Sequence, residues 1–246
     1  MNLIVDIGNS RVKLALMERG EAVAQYAVER LSGPQLDAFL DGRRPEKTIL
    51  SSTRGAAPEV LDLLRPRTVR LVEFTAATPV PIGNAYRTPA TLGRDRLAAA
   101  VGAAELFPER NVLIVDFGTA LTLDLLTADG VFRGGCISPG LRMRLRALHD
   151  YTAQLPLCEP ADDAELLGAS TEEAVVRGVM NALTFEVEGY IARLEEKFDD
   201  LQVIFTGGDA KFFDKRIKNT IFANCNLVLC GLDRILEYNA REEYPD

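Results

Sequence analysis

The sequence predicts an α/β protein built from two related halves. Residues 3–16 (LIVDIGNSRVKLAL) and residues 113–126 (LIVDFGTALTLDLL) open with the same pattern, LIVD-x-G, at an offset of 110 positions. Each begins with the branched apolar residues typical of a buried strand and then turns through Asp-x-Gly. Similar successions of strands and helices follow both copies, which indicates an internal repeat. We therefore expect one half over residues 1–110 and a second over residues 111–246.

In the first half, apolar periodicity and turn residues predict strands at 3–7, 11–17, 21–28, 48–52 and 68–74, and helices at 34–42 and 57–66. Strands that alternate with helices favour a partly parallel, buried sheet covered by helices. Residues 77–93 are interrupted by prolines and glycines and predict a long loop, the kind of segment that often carries function. A helix is expected to start near Arg94 or Asp95 and to end before Pro108.

The second half repeats this order. Strands are predicted at 113–117, 122–130 and 131–136, helices at 141–150, 171–198 and 231–240, and a strand entering a glycine turn within 202–213. Mixed sheets flanked by helices are therefore the expected architecture of both halves.

Composition limits the classes of partner. The chain has 246 residues and a net charge of −8, with 36 acidic against 28 basic residues, so we expect no nucleic acid and no membrane as partners. The apolar start MNLIV is cut by Asp6 before it forms the core of a signal peptide, and no uninterrupted apolar run approaches about 18 residues. We expect a cytoplasmic protein.

The repeated Asp-x-Gly turn can do specific chemistry. A carboxylate at a strand end, as at Asp6 and Asp116, can hold a hard cation through oxygen, and the glycines that follow let backbone N–H groups approach phosphate. The plain alternative is that Asp-x-Gly is only a favoured turn. Its duplication, and a third glycine turn in TGGDA (206–210), favour a nucleotide site, although the sequence contains no P-loop and no G-x-G-x-x-G.

Six segments in order resemble one family. They are DIGNSRVK (6–13), YRTPATLGRDR (86–96), DFGTALTLD (116–124), FRGGCISPG (132–140), GASTEEAVVRG (168–178) and VIFTGGDA (203–210). The glycine turns resemble those of the sugar kinase and actin ATPase superfamily, whose two ribonuclease-H-like halves close on an ATP cleft. Within it, the whole set is most similar to the type III pantothenate kinases.

The resemblance implies transfer of the γ-phosphate of ATP to the 4′-hydroxyl of pantothenate, the first step towards coenzyme A. It also implies a homodimer, Mg²⁺ and a monovalent cation, K⁺ or NH₄⁺. Two alternatives remain open at this point. One is another small-molecule kinase of the superfamily, and the other is a regulatory module that binds nucleotide without phosphorylating a metabolite.

Site residues follow from the resemblance position by position. Asp95 corresponds to the proton acceptor, and Asp116 to the ligand of the monovalent cation. The substrate contacts correspond to Tyr86, Gly93, Arg94, Asp95, Arg96 and Thr171. The ATP-binding positions correspond to Asp6, Ile7, Gly8, Asn9, Ser10, Arg11, Val12, Lys13 and Thr119. Ser10 stands where threonine is common, but it keeps the hydroxyl.

The segment Gly93–Arg96 (GRDR) also makes chemical sense without the resemblance. A carboxylate such as that of Asp95 can accept the proton of an attacking hydroxyl in phosphoryl transfer, and an arginine such as Arg96 or Arg94 binds a substrate carboxylate bidentately. The alternative is a solvated helix start with exposed ion pairs. Tyr86 has an alternative as a loop anchor, and Thr171 as a helix cap.

The two strand-end carboxylates carry an electrostatic requirement. Asp6 and Asp116 would bring negative charge towards a polyphosphate that is already strongly anionic. Such a site needs cations, so Mg²⁺, with Asp6 as a ligand, and a monovalent cation at Asp116 are expected on physical grounds as well.

Overall fold

A computed structural model describes residues 1–161, 165–217, 221–223 and 226–242 of the chain. The strands are β1 (Asn2–Ile7), β2 (Val12–Glu18), β3 (Glu21–Val28), β4 (Lys47–Ser52), β5 (Arg70–Glu73), β6 (Gly83–Asn84), β7 (Val112–Phe117), β8 (Ala120–Thr127), β9 (Val131–Pro139), β10 (Gln202–Thr206) and β11 (Ile221–Ala223). The helices are α1 (Gly33–Leu40), α2 (Pro58–Leu64), α3 (Arg94–Leu106), α4 (Leu141–Asp150), α5 (Thr171–Glu195) and α6 (Leu227–Glu242).

The chain divides into two compact units. The first contains Met1–Leu106 together with the C-terminal residues from Asn226 onwards, and the second contains Phe107–Cys225. This division differs from a simple cut at residue 110, because α6 packs against α3, β1 and β4 of the first unit. The C-terminal helix therefore returns to the half in which the chain began.

Both units use the same strand order. In the first unit the described strands pair in the order β3-β2-β1-β4-β5, with β1, β2 and β3 antiparallel and β4 and β5 parallel to β1. In the second unit β9-β8-β7-β10-β11 repeats that order and those directions. The prediction of an α/β fold with repeated mixed sheets flanked by helices is confirmed.

The alternation of side chains along β1 decides which residues reach the core and which face the site. Leu3, Val5 and Ile7 pack with α1 and α2 in one apolar cluster. Successive side chains of a strand point to opposite faces, so Asn2 and Asp6 lie on the other face. Asn2 confirms this, since its amide donates to Asp233 of α6 at 2.7 Å. Asp6 therefore belongs to the face that carries α6.

The predicted start of the last helix was wrong by four residues. The sequence places it at Gly231, whereas α6 begins at Leu227. Gly231 lies inside the helix, and an added Cβ there would be 1.8 Å from the carbonyl oxygen of Ala98 in α3. A Cβ at Gly102 of α3 would be 2.4 Å from the carbonyl oxygen of Leu227. The two glycines allow α3 and α6 to cross at close range, so Gly231 serves packing and does not start the helix.

Apolar packing in the second unit centres on α5. Its buried apolar side chains recur at helical spacing and pack against residues of β7, β8 and β10. They are Val175, Val179, Met180, Leu183, Val187 and Ile191. These side chains therefore cover one face of the strands that lead into the turns after β7 and β10.

Candidate active site

The first candidate turn connects β1 to β2 and is closed by its own backbone. Gly8 donates its N–H to the carbonyl oxygen of Arg11 at 3.0 Å, and Asp6 faces Lys13 across the antiparallel register. Among the predicted ATP-binding residues, those around this turn differ in the exposure of their side chains. Asn9, Ser10, Arg11 and Lys13 are exposed, whereas the side chains of Ile7 and Val12 are buried. Ile7 and Val12 can therefore contact a ligand only through their backbone.

Asp6 is a buried carboxylate, and its Oδ1 has no hydrogen-bond partner among the described residues. Burial is the main reason that the pKa of Asp6 rises from 3.8 to about 6; the charge of Lys13 lowers this pKa and the charge of Asp95 raises it, each by less. The Ser51 hydroxyl on β4 is near enough to lower the pKa slightly, but the pair falls outside hydrogen-bond geometry. The Lys13 charge therefore compensates the charged form of Asp6 only in part, and Oδ1 receives no hydrogen bond from the described residues.

That unpaired oxygen fits a hydrated hard cation. Mg²⁺ usually keeps several waters and takes one or two carboxylates together with substrate phosphates, so it does not need a cage of protein ligands. Within the described residues, no group of three or more His, Cys, Asp or Glu side chains is arranged to hold a metal ion. Asp6 supplies one carboxylate of the kind that such a shared site uses.

The segment Gly93–Arg96 forms the start of α3. Gly93 accepts the first helical hydrogen bond from the N–H of Leu97 at 3.2 Å, and Asp95 lies in the first turn. Oδ1 of Asp95 accepts from the N–H of Arg96 at 2.9 Å. An added Cβ at Gly93 would lie 2.6 Å from this Oδ1. The absence of a side chain at Gly93 therefore leaves room for the Asp95 carboxylate.

Two of the predicted substrate residues meet within the first unit. Arg96 is buried, and its Cζ lies 5.6 Å from the centroid of the Tyr86 ring, a distance at which a guanidinium is attracted to an aromatic face. The backbone N–H of Tyr86 donates to the side-chain oxygen of Asn84 at 3.0 Å. Arg94 instead turns back on its own loop and donates to the carbonyl oxygen of Leu92 at 2.8 Å. Arg96 thus contacts an aromatic ring of the preceding loop, whereas Arg94 bonds a backbone carbonyl of that loop.

The second candidate turn follows β7. Gly118 donates to the carbonyl oxygen of Ala120 at 3.1 Å, and Thr119 is exposed at the tip. An added Cβ at Gly118 would lie 3.3 Å from Oδ1 of Asp116, and one at Gly207 would lie 2.4 Å from the same atom. The Asp116 carboxylate is therefore enclosed by glycines from two turns, which stand at the ends of neighbouring parallel strands.

A further glycine supports the same turn from α4. A Cβ at Gly140 would lie 2.5 Å from the carbonyl oxygens of both Gly118 and Thr119. The segment FRGGCISPG ends at this residue, so its last glycine has a role in close backbone packing.

The third glycine turn, TGGDA, also belongs to this cluster. Asp209 donates its N–H to the carbonyl oxygen of Phe117 at 3.1 Å, which fastens the turn after β10 to the turn after β7. Asp209 is half-buried, and burial raises the pKa of its carboxyl, while the charge of Arg142, 3.6 Å away, and the charge of Lys211 lower it. Arg142 was not singled out from the sequence; a cue was its position in the first turn of α4, directly after the N-cap Gly140 and Leu141.

Thr171 is the first residue of α5, and its side chain is exposed. The helix cap is Ser170, whose Oγ accepts from the N–H of Glu173 at 3.3 Å, and Glu173 in turn accepts from the N–H of Ala169 at 2.7 Å. The alternative that assigned the cap to Thr171 is wrong by one position. Capping therefore does not account for the Thr171 hydroxyl.

Thr53 and Arg54, which follow β4, were also missed. Arg54 donates to the carbonyl oxygens of Gly8 and Asn9 at 2.8 and 3.0 Å. A topological signal was available, since β4 is parallel to β1 and parallel neighbours end at the same sheet edge.

None of the described helices is long and apolar enough to cross a membrane.

Comparison with solved structures agrees with this architecture. A protein from Campylobacter jejuni described as a Baf family transcriptional activator aligns with a TM-score of 0.63 at 20% identity, over 97% of this chain and 99% of that one. A protein from Sinorhizobium meliloti described as a 2-dehydro-3-deoxygalactonokinase aligns with a TM-score of 0.58 at 14% identity, over the full length of both. The repeated mixed sheets flanked by helices therefore have the fold of the actin-like ATPase and sugar kinase class.

Sequence comparison then assigns the family. The family model for type III pantothenate kinase matches residues 2–193. A type III pantothenate kinase from Phocaeicola vulgatus is 44% identical over 97% of this chain and 99% of its own length, and one from Bacteroides fragilis is 41% identical over 97% and 98%. The chain belongs to the type III pantothenate kinase family and is an ATP-dependent kinase of coenzyme A biosynthesis.

Proposed function

We propose that this kinase transfers the γ-phosphate of ATP to the 4′-hydroxyl of pantothenate, with Asp95 as the residue that accepts the hydroxyl proton. The observation that carries the assignment of Asp95 is electrostatic: its carboxylate lies near enough to Asp6, at the first phosphate turn, to raise the pKa of Asp6. Asp6, at the end of β1, and the Asp95 carboxylate therefore lie close together in the first unit, which supports the proposal. Family membership supports pantothenate as the acceptor.

In the proposed reaction the 4′-oxygen forms a bond to the γ-phosphorus, and the bond between that phosphorus and the β–γ bridging oxygen breaks. The hydroxyl proton passes to Asp95, and ADP leaves. Because the transition state of phosphoryl transfer is loose, the protein contributes mainly position and charge. Asp95 is suited to orienting the hydroxyl, since its carboxylate is already fixed by the N–H of Arg96.

The acceptor is proposed to bind at the start of α3. The substrate-binding residues would be Tyr86, Gly93, Arg94, Asp95, Arg96 and Thr171. Arg96 is the candidate for the pantothenate carboxylate, because a guanidinium holds a carboxylate bidentately and Arg96 lies next to Asp95 in the first turn of α3. Arg94 would have to leave the Leu92 carbonyl to take this role.

The residues proposed to contact the ATP phosphates are those from Asp6 to Lys13 together with Thr119. Mg²⁺ bound with ATP would neutralise phosphate charge, and Asp6 fits it because Oδ1 has no other partner among the described residues. Asp116 is the proposed ligand of K⁺ or NH₄⁺. Its carboxylate lies where the glycine turns after β7 and β10 meet, and a carboxylate oxygen is the kind of ligand that such a cation takes.

We further propose that two copies form a homodimer in the cytoplasm. The second unit presents apolar side chains to solvent on α5 and β9, among them Phe185, Tyr190 and Ile137. Exposed apolar groups of this kind are common at subunit interfaces. Light scattering on the purified protein tests this: a mass of one chain would contradict it.

The decisive experiment incubates the purified protein with ATP, Mg²⁺, K⁺ and pantothenate and compares Asp95→Asn. We expect 4′-phosphopantothenate from the unmodified protein and a loss of roughly 10² or more in kcat for the variant, from the range of general-base contributions. Unchanged kcat in Asp95→Asn would remove Asp95 from the mechanism. Bound ATP without any product would instead indicate a nucleotide-binding regulatory module.

A further inference from the structure

Three consecutive carbonyl groups of the first phosphate turn are held by two residues that follow β4. The carbonyl oxygen of Ile7 accepts from the N–H of Thr53 at 2.9 Å and from its hydroxyl at 3.1 Å. The carbonyl oxygen of Gly8 accepts from Nε of Arg54 at 2.8 Å, and that of Asn9 accepts from Nη2 of Arg54 at 3.0 Å. No motif in the sequence includes Thr53 or Arg54. The carbonyls of Ile7, Gly8 and Asn9 are thus all engaged by the two residues that follow β4.

This arrangement dictates where the amide groups of the turn point. A trans peptide is planar, so the N–H of each residue points opposite to the carbonyl of the residue before it, and all the described peptide bonds are trans. Arg54 holds the carbonyls of Gly8 and Asn9, so the N–H groups of Asn9 and Ser10 point away from Arg54. Successive N–H groups that converge on one side form a concave site for an anion.

We propose that Arg54, assisted by Thr53, is a positioning residue that fixes the amides of the first turn for the phosphates of ATP; this inference rests on the proposed function. The carbonyls are as important as the amides. If Arg54 were absent, the peptide groups after Gly8 and Asn9 would be free to rotate, and a carbonyl oxygen turned towards a phosphate would repel it. The planar fork of Arg54 is suited to holding two adjacent carbonyls, whereas a lysine ammonium is a single point charge.

Arg54 is expected to affect the binding of only one of the two substrates. The contacts of Arg54 described above are to the turn, and the proposed pantothenate residues lie at Tyr86 and at the start of α3. Loss of Arg54 should therefore weaken ATP binding and leave pantothenate binding unchanged. A purely structural role would weaken both and lower the melting temperature as well.

The test compares Arg54→Ala, Arg54→Lys and the matched control Arg67→Ala. Like Arg54, Arg67 donates to a backbone carbonyl, that of Leu63; it makes two further hydrogen bonds to the Asp37 carboxylate and none to the turn. We expect Arg54→Ala to raise the KM for ATP about tenfold, which corresponds to about 1.4 kcal/mol, with the KM for pantothenate changed less than twofold. Arg67→Ala should change neither KM. Arg54→Lys should restore only part of the affinity for ATP.

Hydrogen exchange measured without nucleotide gives an independent readout. The amide of Gly8, which is bonded to Arg11, should exchange faster in Arg54→Ala than in the unmodified protein or in Arg67→Ala. An unchanged KM for ATP, equal rises in both KM values, or full restoration by lysine would each overturn the inference. Failure of the proposed function is distinguishable, because calorimetric ATP binding by Arg54→Ala tests the turn even if the unmodified protein yields no phosphopantothenate.

Discussion

The guanidinium of Arg96 lies over the ring of Tyr86, with 5.6 Å between Cζ and the ring centroid. This contact joins the long loop before α3 to the first turn of the helix. It holds a buried cation beside Asp95, where the acceptor is proposed to bind. The contact predicts that pantothenate binding depends on the aromatic face of Tyr86 and not on its hydroxyl.

Tyr86→Phe keeps the aromatic face and removes only the hydroxyl, whereas Tyr86→Leu removes the face. A cation–π contact contributes about 0.5–2 kcal/mol, depending on its exposure. We therefore expect Tyr86→Leu to raise the KM for pantothenate by roughly two- to thirtyfold, with the KM for ATP unchanged. Tyr86→Phe is the control. Steady-state kinetics with each substrate varied in turn measures both, and an equally weakened Tyr86→Phe would show that the hydroxyl contacts the substrate.

Gly93→Ala tests whether Asp95 needs the space beside it. The new Cβ would lie 2.6 Å from Oδ1 of Asp95, so the carboxylate would have to move away from its present position. We expect kcat to fall at least tenfold, in line with the sensitivity of catalysis to small misplacements, and the melting temperature to change little. Gly178→Ala is a matched control, because an added Cβ there has no neighbour within 4 Å. Unchanged kcat in Gly93→Ala would mean that Asp95 functions from another rotamer.

Asp6→Asn is expected to stabilise the protein without ligands at neutral pH. The pKa of Asp6 is raised from 3.8 to about 6 in the folded state, so the folded protein binds this proton more tightly than the unfolded chain does. Burying the charged form of Asp6 lowers the free energy of unfolding. This loss is absent below about pH 4, grows as the pH rises towards 6, and stays constant above that. By linkage it amounts to about 3 kcal/mol at most. Asp6→Asn should remove most of it.

Denaturant unfolding at pH 5 and pH 8 checks this expectation. The stability gained by Asp6→Asn should be larger at pH 8 than at pH 5, while activity with ATP and Mg²⁺ is lost. Asp62→Asn, at an exposed position in α2, should show no such difference. An equal gain at both pH values would contradict the raised pKa.

Gly207→Ala and Gly208→Ala form a pair of adjacent substitutions with opposite expectations. Gly207 has a φ of 93°, and its Cβ would lie 2.4 Å from Oδ1 of Asp116 and 2.6 Å from the carbonyl oxygen of Phe117. A Cβ at Gly208 would have no neighbour within 4 Å. Strain of this kind costs about 1–3 kcal/mol or more, so Gly207→Ala should lower the free energy of unfolding clearly.

The same pair tests the monovalent cation. If Asp116 binds K⁺, Gly207→Ala should raise the K⁺ concentration needed for half-maximal activity, and Gly208→Ala should leave it unchanged. Titration of activity with KCl at constant ionic strength measures this. Identical K⁺ dependence in both variants would argue against Asp116 as the ligand.

Much of the fold could be predicted because its signals are local. The apolar pattern of β1 and β7, the repeated Asp-x-Gly and the order of elements are all readable along the chain, and the repeated strand order confirms them. Gly231 could not be interpreted in this way. A glycine near the start of an apolar helical pattern suggests a boundary, and only the crossing of α3 at Ala98 explains why it lies inside α6.

The candidate site shows the same limit. Residue type and motif are enough to propose a role for Asp6 and for Asp95, but the electrostatic coupling between them depends on the face of β1 to which Asp6 points. Arg54 was missed because its two hydrogen bonds join positions more than 40 residues apart, and a lone arginine after a strand has no pattern of its own.

By itself, then, the sequence determined the repeat, the strand-end carboxylates and the order of the motifs, because each depends on neighbouring residues in the chain. The tertiary structure decided which side chains meet: Arg96 with Tyr86, Asp116 with Gly207, and Arg54 with the carbonyls of Gly8 and Asn9. The physical reason is that burial, charge coupling and close approach are properties of distance in space. Parallel strand pairing and helix crossing set those distances between segments that lie far apart in sequence.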